Sequence, residues 1–519
     1  MTFISLQFLL FLGIVVVLYY ICPKKIQWLF LLLASYTFYF FSGITPLLFV
    51  VSSTCLVYLC GVWMKRVIDT HKKKSEAKKI NKRILLLAVF IEFGVLLVLK
   101  YYNFIAENLN SAFSVFAYDG SLPLINLILP LGISFYTFQA VGYLIDIYRN
   151  KYQAEVNPLR LALFLSFFPQ VIQGPISRYD NLGTQLKEYH YFSYQNLKYG
   201  AQLMLWGYFK KLVIADSAGA LVSQVFGHWE WYDSFQIFIA IVVYALQIYA
   251  DFSGGIDMAR GAAQIMGIDL IDNFKRPYFG TSVAEYWRRW HMSLTNWMRD
   301  YVFFPLTLSK TSSKIGKWGR KHIGGTIGKQ ISTYIPTFVT FFLIGIWHGA
   351  GWGFIVYGLY NATIIVVSMV LTPGFTVIKN TIHLKDSFIP WKIFQILRTF
   401  LIMAIGKCIT RADSVPMAFG MLRKCCDMFF AGHMPFDYLS IRMASMGLNS
   451  LEVIALIGGV IVFFCVSLLQ ENGVRIRETV TRCPLLIRWI LYLALLGAVL
   501  VLGHYGSGYS ASDFVYRNF

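Results

Sequence analysis

At 519 residues, of which 57% are hydrophobic, 17% aromatic and only 14% charged, with a mean hydropathy of +0.57, the chain is composed for lipid and is not an ordinary soluble domain. The net charge of +20 reflects 46 Lys and Arg against 26 Asp and Glu. Those basic residues stand in loops at the ends of apolar runs, where anionic headgroups and the cytoplasmic bias of Lys and Arg account for them, so no nucleic-acid partner is expected.

A bilayer-spanning helix needs about 20 mostly apolar residues. Such runs lie near 3–21, 27–44, 47–64, 84–101, 122–147, 199–219, 233–252, 331–348, 350–372, 389–407, 451–470 and 486–504, which predicts roughly twelve crossings in an all-α polytopic membrane protein. No Lys or Arg precedes the first run and no clear cleavage site follows it, so it reads as a retained helix. The stretch FLSFFPQVIQGPI at 164–176 is shorter and broken by Pro169, Gly174 and Pro175, which suits a re-entrant or kinked piece supported by its neighbours. Lys24 and Lys25, the run from Lys65 to Arg83, Arg149 with Lys151, Lys310 to Lys329, Lys379 with Lys385, and Arg475 to Arg488 all fall in the cytoplasm if both termini lie outside. No Asp or Glu occurs between Asp300 and Asp386, and the field of the 310–329 loop would steer a phosphate-bearing donor.

Two aspartates, Asp251 and Asp257, sit near apolar depth in YADFSGGIDMARG; Asp251 is expected to pair with core arginines or to shape an internal passage. Residues 275–306 are too polar to cross, yet aromatics alternate there with Arg and His. Thr281 or Ser282 can cap a helix, with Glu285 completing a capping box, and one continuous helix would carry Tyr286, Trp290, Leu294 and Trp297 on a shared stripe beside His291. An interfacial anchor is the plainer account of Arg288 and Arg289. The second histidine, His348, closes an apolar span inside GIWHGAGWG, where Gly345, Gly349, Gly351 and Gly353 let a ligand or another backbone approach closely. Ionisable groups gathered at apolar depth point to a functional site. Eight cysteines show no zinc or redox spacing, and no Gly-rich phosphate loop, HExxH or GxSxG element is present.

FPQVIQGPISRY (168–179), YADFSGGIDMARG (249–261), RPYFGTSVAEYWRRWHMSLTNWMRDYVFFPL (276–306), GIWHGAGWGFIVYGLYNA (345–362) and RADS (411–414) follow one another in the order seen in membrane-bound O-acyltransferases. In these motifs the chain resembles that family, in the branch typified by alginate O-acetyltransferase. The resemblance implies a helical bundle pierced by a central tunnel, with His348 at the invariant active-site histidine and His291 at the second conserved polar position. Trp287, Arg288, Arg289, Trp290, Trp347, Asp251 and Asn296 are grouped with them as supporting residues. One departure stands at GKCITRADS, where the family often has bulky aromatics before RADS.

The ending FVYRNF matches a tail seen in this branch, with Phe514, Tyr516 and Phe519 in the F-x-Y-x-x-F positions and the tyrosine proposed to carry the acyl group. The implied organisation is N-terminal helices over 1–124, a catalytic core over 125–415, C-terminal helices over 416–505 and an extracytoplasmic tail over 506–519. The expected reaction moves a short acyl group, acetyl from acetyl-CoA or another thioester, across a bacterial plasma membrane through Tyr516. An extracytoplasmic acyltransferase of the SGNH-hydrolase type would then pass it to a cell-surface polysaccharide. His348 would serve as general base, with His291, indole N–H groups or backbone N–H groups open as oxyanion stabilisers. No tightly bound cofactor and no metal are expected. D-alanyl transfer to teichoic acid, lipid- or protein-directed acyl transfer, and transport without chemistry are the rival readings; a transporter would call for paired half-sequences, and none is evident.

Overall fold

Apolar runs separated by short polar breaks fold into helices throughout, and no strand occurs among the described residues. The computed structural model describes residues 2–71, 73–116, 120–127, 129–171, 173–430 and 446–505. The tail residues Phe514, Tyr516 and Phe519 lie outside them. Two compact units emerge, residues 1–204 with 258–271, and residues 205–257 with 272–519.

The first unit contains α1 (Leu6–Ile21), α2 (Gln27–Phe40), α3 (Ile44–Thr70), α4 (Lys74–Val115), α5 (Ile133–Tyr148), α6 (Pro158–Ser166), the short α7 (Phe168–Val171) and most of α8 (Tyr194–Tyr208). Gly132 starts α5 at φ 72°, in the left-handed region, and a Cβ there would run into the Val171 carbonyl, so glycine is required on both counts. The 164–176 stretch is helical only in pieces. Ser35 Oγ accepts the Phe168 N–H at 3.2 Å, one of the neighbours that support the broken backbone. Beyond it the Tyr179 hydroxyl donates to Glu155, which also pairs with Lys187. Burial works against the Glu155 carboxylate, but the bonds from Lys187 and Tyr179 prevail and hold its pKa below the usual range. The QGPISRY segment is thus held by a buried polar cluster.

The second unit adds α9 (Asp216–Gly227), α10 (Ser234–Ile265, ending in the first unit), α11 (Val283–Arg289), α12 (Met292–Met298), α13 (Phe304–Thr307), α14 (Lys310–His322), α15 (Gly325–His348), α16 (Trp352–Thr381), α17 (Ile389–Arg411), α18 (Val415–Phe430), α19 (Ser450–Glu471), α20 (Ile476–Arg482) and α21 (Leu485–Leu502). A π-helical segment, Phe209–Ala215, leads into α9.

Eight helices among the described residues, α3, α4, α10, α15, α16, α17, α19 and α21, are long and apolar enough to cross a membrane. The expected twelve crossings are not reproduced. The run at 3–21 yields a helix of 16 residues and that at 27–44 one of 14; at 1.5 Å per residue these reach only about 21–24 Å, short of a hydrocarbon core of about 30 Å. Among the described residues the run at 122–147 is helical only from Ile133, whereas that at 199–219 stays helical, with the π-helical segment Phe209–Ala215 joining α8 to α9.

Candidate active site

α15 and α16 turn sharply around His348, and glycines make the turn possible. A Cβ on Gly345 would press into the Phe354 carbonyl and the Gly358 Cα, and one on Gly358 into the Phe341 carbonyl. On Gly349 it would strike the Phe354 ring, and on Gly353 the Ile409 carbonyl of α17. Three of the four motif glycines therefore admit neighbouring protein, and only Gly351 meets nothing closer than ordinary contact. This small-residue seam is the way helices approach closely in a membrane.

His348 ends α15 at 8% exposure. Its ring stands 5.0 Å from Trp347 and 6.3 Å from Tyr357, centroid to centroid. Trp347 also lies against the second imidazole, with its ring 5.5 Å from that of His291. One indole thus touches both histidines, although 57 residues part them in sequence. Trp287 packs edge-on to Phe341 and tilted to Tyr357, and its indole N–H donates to Asn361 Oδ1 at 3.0 Å. Asn361 in turn donates to the Tyr357 carbonyl at 2.8 Å, so α11 is pinned to α16 beside the histidine turn.

The 283–298 segment is not the single helix its periodicity predicts. Ser282 caps α11 by accepting the Glu285 N–H, but the Glu285 carboxylate takes the N–H and hydroxyl of Thr281, one residue earlier than a capping box would have it. The helix then stops. Trp290 is extended, and His291 adopts φ 45° before α12 begins. That left-handed conformation is uncommon for a residue with a side chain. It is held by backbone bonds to the irregular segment 273–275, Lys275 N–H to the Arg289 carbonyl and Met292 N–H to the Asn273 carbonyl, each at 2.9 Å. Tyr286, Trp290, Leu294 and Trp297 are all buried inside the protein, so tertiary packing replaces the proposed interfacial stripe.

The break fixes the chemistry of His291, which has 0% exposure. Asn273 Oδ1 accepts the Ser293 N–H at 2.9 Å and faces His291 Nδ1 at 3.3 Å. An oxygen that is already an acceptor requires the proton on Nδ1, leaving the lone pair on Nε2. α11 and α12 are not among the spanning helices, and here burial lowers the imidazole pKa to about 3, so the ring is neutral. In this tautomer Nε2 accepts a hydrogen bond and does not donate one. A lone pair on Nε2 suits a hydrogen-bond acceptor and not the expected oxyanion donor.

Of the remaining expected residues, Trp290 lies between Tyr286 and Phe274, at ring distances of 5.5 and 5.0 Å. Arg289 pairs with Glu285 at 2.7 Å and with Glu471 at 2.9 Å, Arg288 is exposed, and Asn296 is half-buried. Asp251, expected beside core arginines, has a lysine for its ion-pair partner. It pairs with Lys211 at 2.7 Å, while Lys211 reaches Asp216 at 2.8 Å, and next to them Lys210 pairs with Asp257 at 2.7 Å. Arg276 and Arg289 share Glu471 instead, and the π-helical segment brings two consecutive lysines to α10.

Three polar residues of the site escape sequence reasoning. Asn273 and Asn361 carry no pattern that marks them. Lys407 does: it is the one charged residue between Arg398 and Arg411 in an otherwise apolar helix, and it is buried at 2% exposure with Nζ 3.7 Å from the Trp290 ring centroid.

The sequence profile of the MBOAT, membrane-bound O-acyltransferase, family matches residues 31–410. The chain is 33% identical over 423 residues to the probable alginate O-acetylase of Pseudomonas aeruginosa, an alignment covering 81% of this chain and 74% of that one. Identity to the peptidoglycan O-acetyltransferase of Helicobacter pylori is 30% over 377 residues, 68% of this chain and 66% of the relative. With the teichoic acid D-alanyltransferase of Bacillus subtilis it is 31% over 251 residues, 46% and 58% respectively.

Proposed function

The chain belongs to the membrane-bound O-acyltransferase family and is a multi-pass membrane O-acyltransferase, and from that premise we propose that it transfers a short acyl group, acetyl, from a cytoplasmic thioester toward a cell-surface polysaccharide. The donor is acetyl-CoA, steered by the basic helix α14, and the membrane is the bacterial plasma membrane with both chain termini outside. The observation that carries the reading is Trp347 packed against both His291 and His348. The relatives named for O-acetylation align over 68–81% of this chain, whereas those named for D-alanyl transfer align over 46% and 52%, which favours acetyl as the cargo.

The chemistry proceeds through His348 and the tail tyrosine. The neutral imidazole of His348 accepts the Tyr516 phenolic proton as the oxygen attacks the thioester carbonyl carbon. Collapse of the tetrahedral intermediate breaks the C–S bond, and the thiolate leaves, taking up the proton from the imidazolium. With reference pKa values of about 8.5 for a thiol and about 10 for a phenol, the acyl group stays on a good leaving group. An extracytoplasmic partner of the SGNH-hydrolase type then moves it to the polymer. A passage through the bundle, open to the cytoplasm for the donor and to the exterior for the tyrosine, belongs to this reading. Trp287, Trp290, Arg289 and Asp251 support the site by fixing helices around it.

His348→Ala is expected to abolish polymer acetylation with expression and membrane insertion intact; retained acetylation would refute the base role. Tyr516→Phe tests the relay by itself. Mass spectrometry of the C-terminal peptide after incubation with candidate thioesters should show the added mass of the acyl group on Tyr516, and normal polymer modification by Tyr516→Phe removes the tail as carrier.

A further inference from the structure

Every other buried lysine in the second unit carries its own counter-charge. Lys210 has Asp257, Lys211 has Asp251 and Asp216, and the half-buried Arg276 and Arg289 divide Glu471 between them. Lys407 differs. Its Nζ lies over two aromatic faces, 3.7 Å from the Trp290 centroid and 5.8 Å from Tyr286, and makes no hydrogen bond or ion pair among the described residues. A buried amine facing only rings has no carboxylate of the protein to hold its proton, so an anion arriving beside it would supply the missing counter-charge.

Trp290 and Tyr357 connect it to the histidines. Lys407 covers the indole of the residue that precedes His291, and the preceding residue, Gly406, is packed so closely on Tyr357 and Tyr360 that a Cβ would crowd both rings. Tyr357 is the ring against His348. α17 thus sets Lys407 against rings that neighbour the two histidines, Trp290 next to His291 in the chain and Tyr357 packed beside Gly406, while the tautomer of His291 leaves a lone pair and no proton on Nε2.

We propose that Lys407 is the anion-binding residue of the acyl-transfer site, its ammonium taking a negatively charged oxygen of the substrate, above all the oxyanion formed when the thioester carbonyl is attacked. The inference rests on the acyl-transfer reading above. In that step the new C–O bond forms as the carbonyl π pair moves onto oxygen, the Lys407 ammonium pairs with the negative charge that develops on that oxygen, and collapse returns the pair as the C–S bond breaks. The alternative source of the same charge is an anionic group carried by a substrate in its ground state.

The test is steady-state acetyl transfer by purified full-length protein, with acetyl-CoA as donor and polysaccharide acceptor and partner supplied, comparing wild type with Lys407→Met and Lys407→Arg. A wild-type protein that transfers no acyl group overturns the underlying reading before Lys407 is judged. With wild-type activity in hand, the oxyanion role predicts a kcat lower by about 100-fold in Lys407→Met, KM within a few-fold, and partial recovery in Lys407→Arg. A ground-state anion predicts instead a raised KM for the substrate that bears it, with kcat kept. Unchanged kcat and KM in a folded Lys407→Met protein overturns the proposal, as does a loss of thermal stability with no kinetic effect. If Lys407→Met fails to accumulate, Lys407→Gln takes its place and is read by the same split.

Discussion

A single acceptor atom decides what His291 can do. Because Asn273 Oδ1 accepts from Ser293, the imidazole proton sits on Nδ1, and because the ring is buried its pKa falls to about 3 from a reference near 6.5. Between those values the unfolded chain binds the proton and the folded chain does not. The stability contributed by the neutral ring is therefore complete above about pH 6.5 and is lost progressively as the pH falls toward 3. Acidifying the purified protein from pH 7 to pH 5 should lower its unfolding temperature by several degrees, and His291→Asn should flatten part of that dependence; an identical slope in the variant counts against a neutral buried ring. Asn273→Ala leaves two buried N–H groups without their acceptor, a loss of about 1–3 kcal/mol for each. Neither His291's motif nor its tryptophan neighbours disclosed this arrangement, since Asn273 lies 18 residues upstream in a segment without periodicity.

The helix pair α15 and α16 shows which glycines are structural. Gly345 and Gly358 face each other where no Cβ fits, whereas Gly351 is extended at φ −175° with its nearest outside neighbour at 3.7 Å. Gly345→Leu and Gly358→Leu should each destabilise by about 3 kcal/mol or more, since rigid backbone blocks the added atoms. Gly351→Ala should be tolerated. Size-exclusion profiles in detergent after a heat step provide the comparison, and a wild-type profile for Gly345→Leu would show that the helices do not pack through this seam. The density of glycine was legible in the sequence as a close approach; that helix backbones and the Phe354 ring fill the space became visible only once α16 and α17 were placed.

At the scale of the whole chain, the expected orientation follows from charge, with the basic stretches 65–83 and 310–329 inside and both ends outside. In a background whose eight native cysteines are replaced, Lys73→Cys and Lys321→Cys should react with a membrane-impermeant maleimide only after the cells are opened, while Ala511→Cys should react in intact cells. Labelling of Lys321→Cys from outside would invert the arrangement and remove the cytoplasmic route for the donor. Among the described residues eight helices have the length and apolar composition of a span, against twelve apolar runs in the sequence, because hydropathy measures how greasy a run is and not whether its backbone stays helical for the full thickness.

By itself the sequence determined the solvent, the all-α class, the family and the two histidines, for these depend on composition and on short motifs whose information is local. The tertiary structure decided the break at Trp290 and His291, the proton on Nδ1, the pairing of Asp251 with Lys211 and the seat of Lys407 over Trp290. Each of these joins residues 14 to 117 positions apart, and an ionisable side chain at apolar depth takes its charge state and its partner from whatever the fold brings beside it.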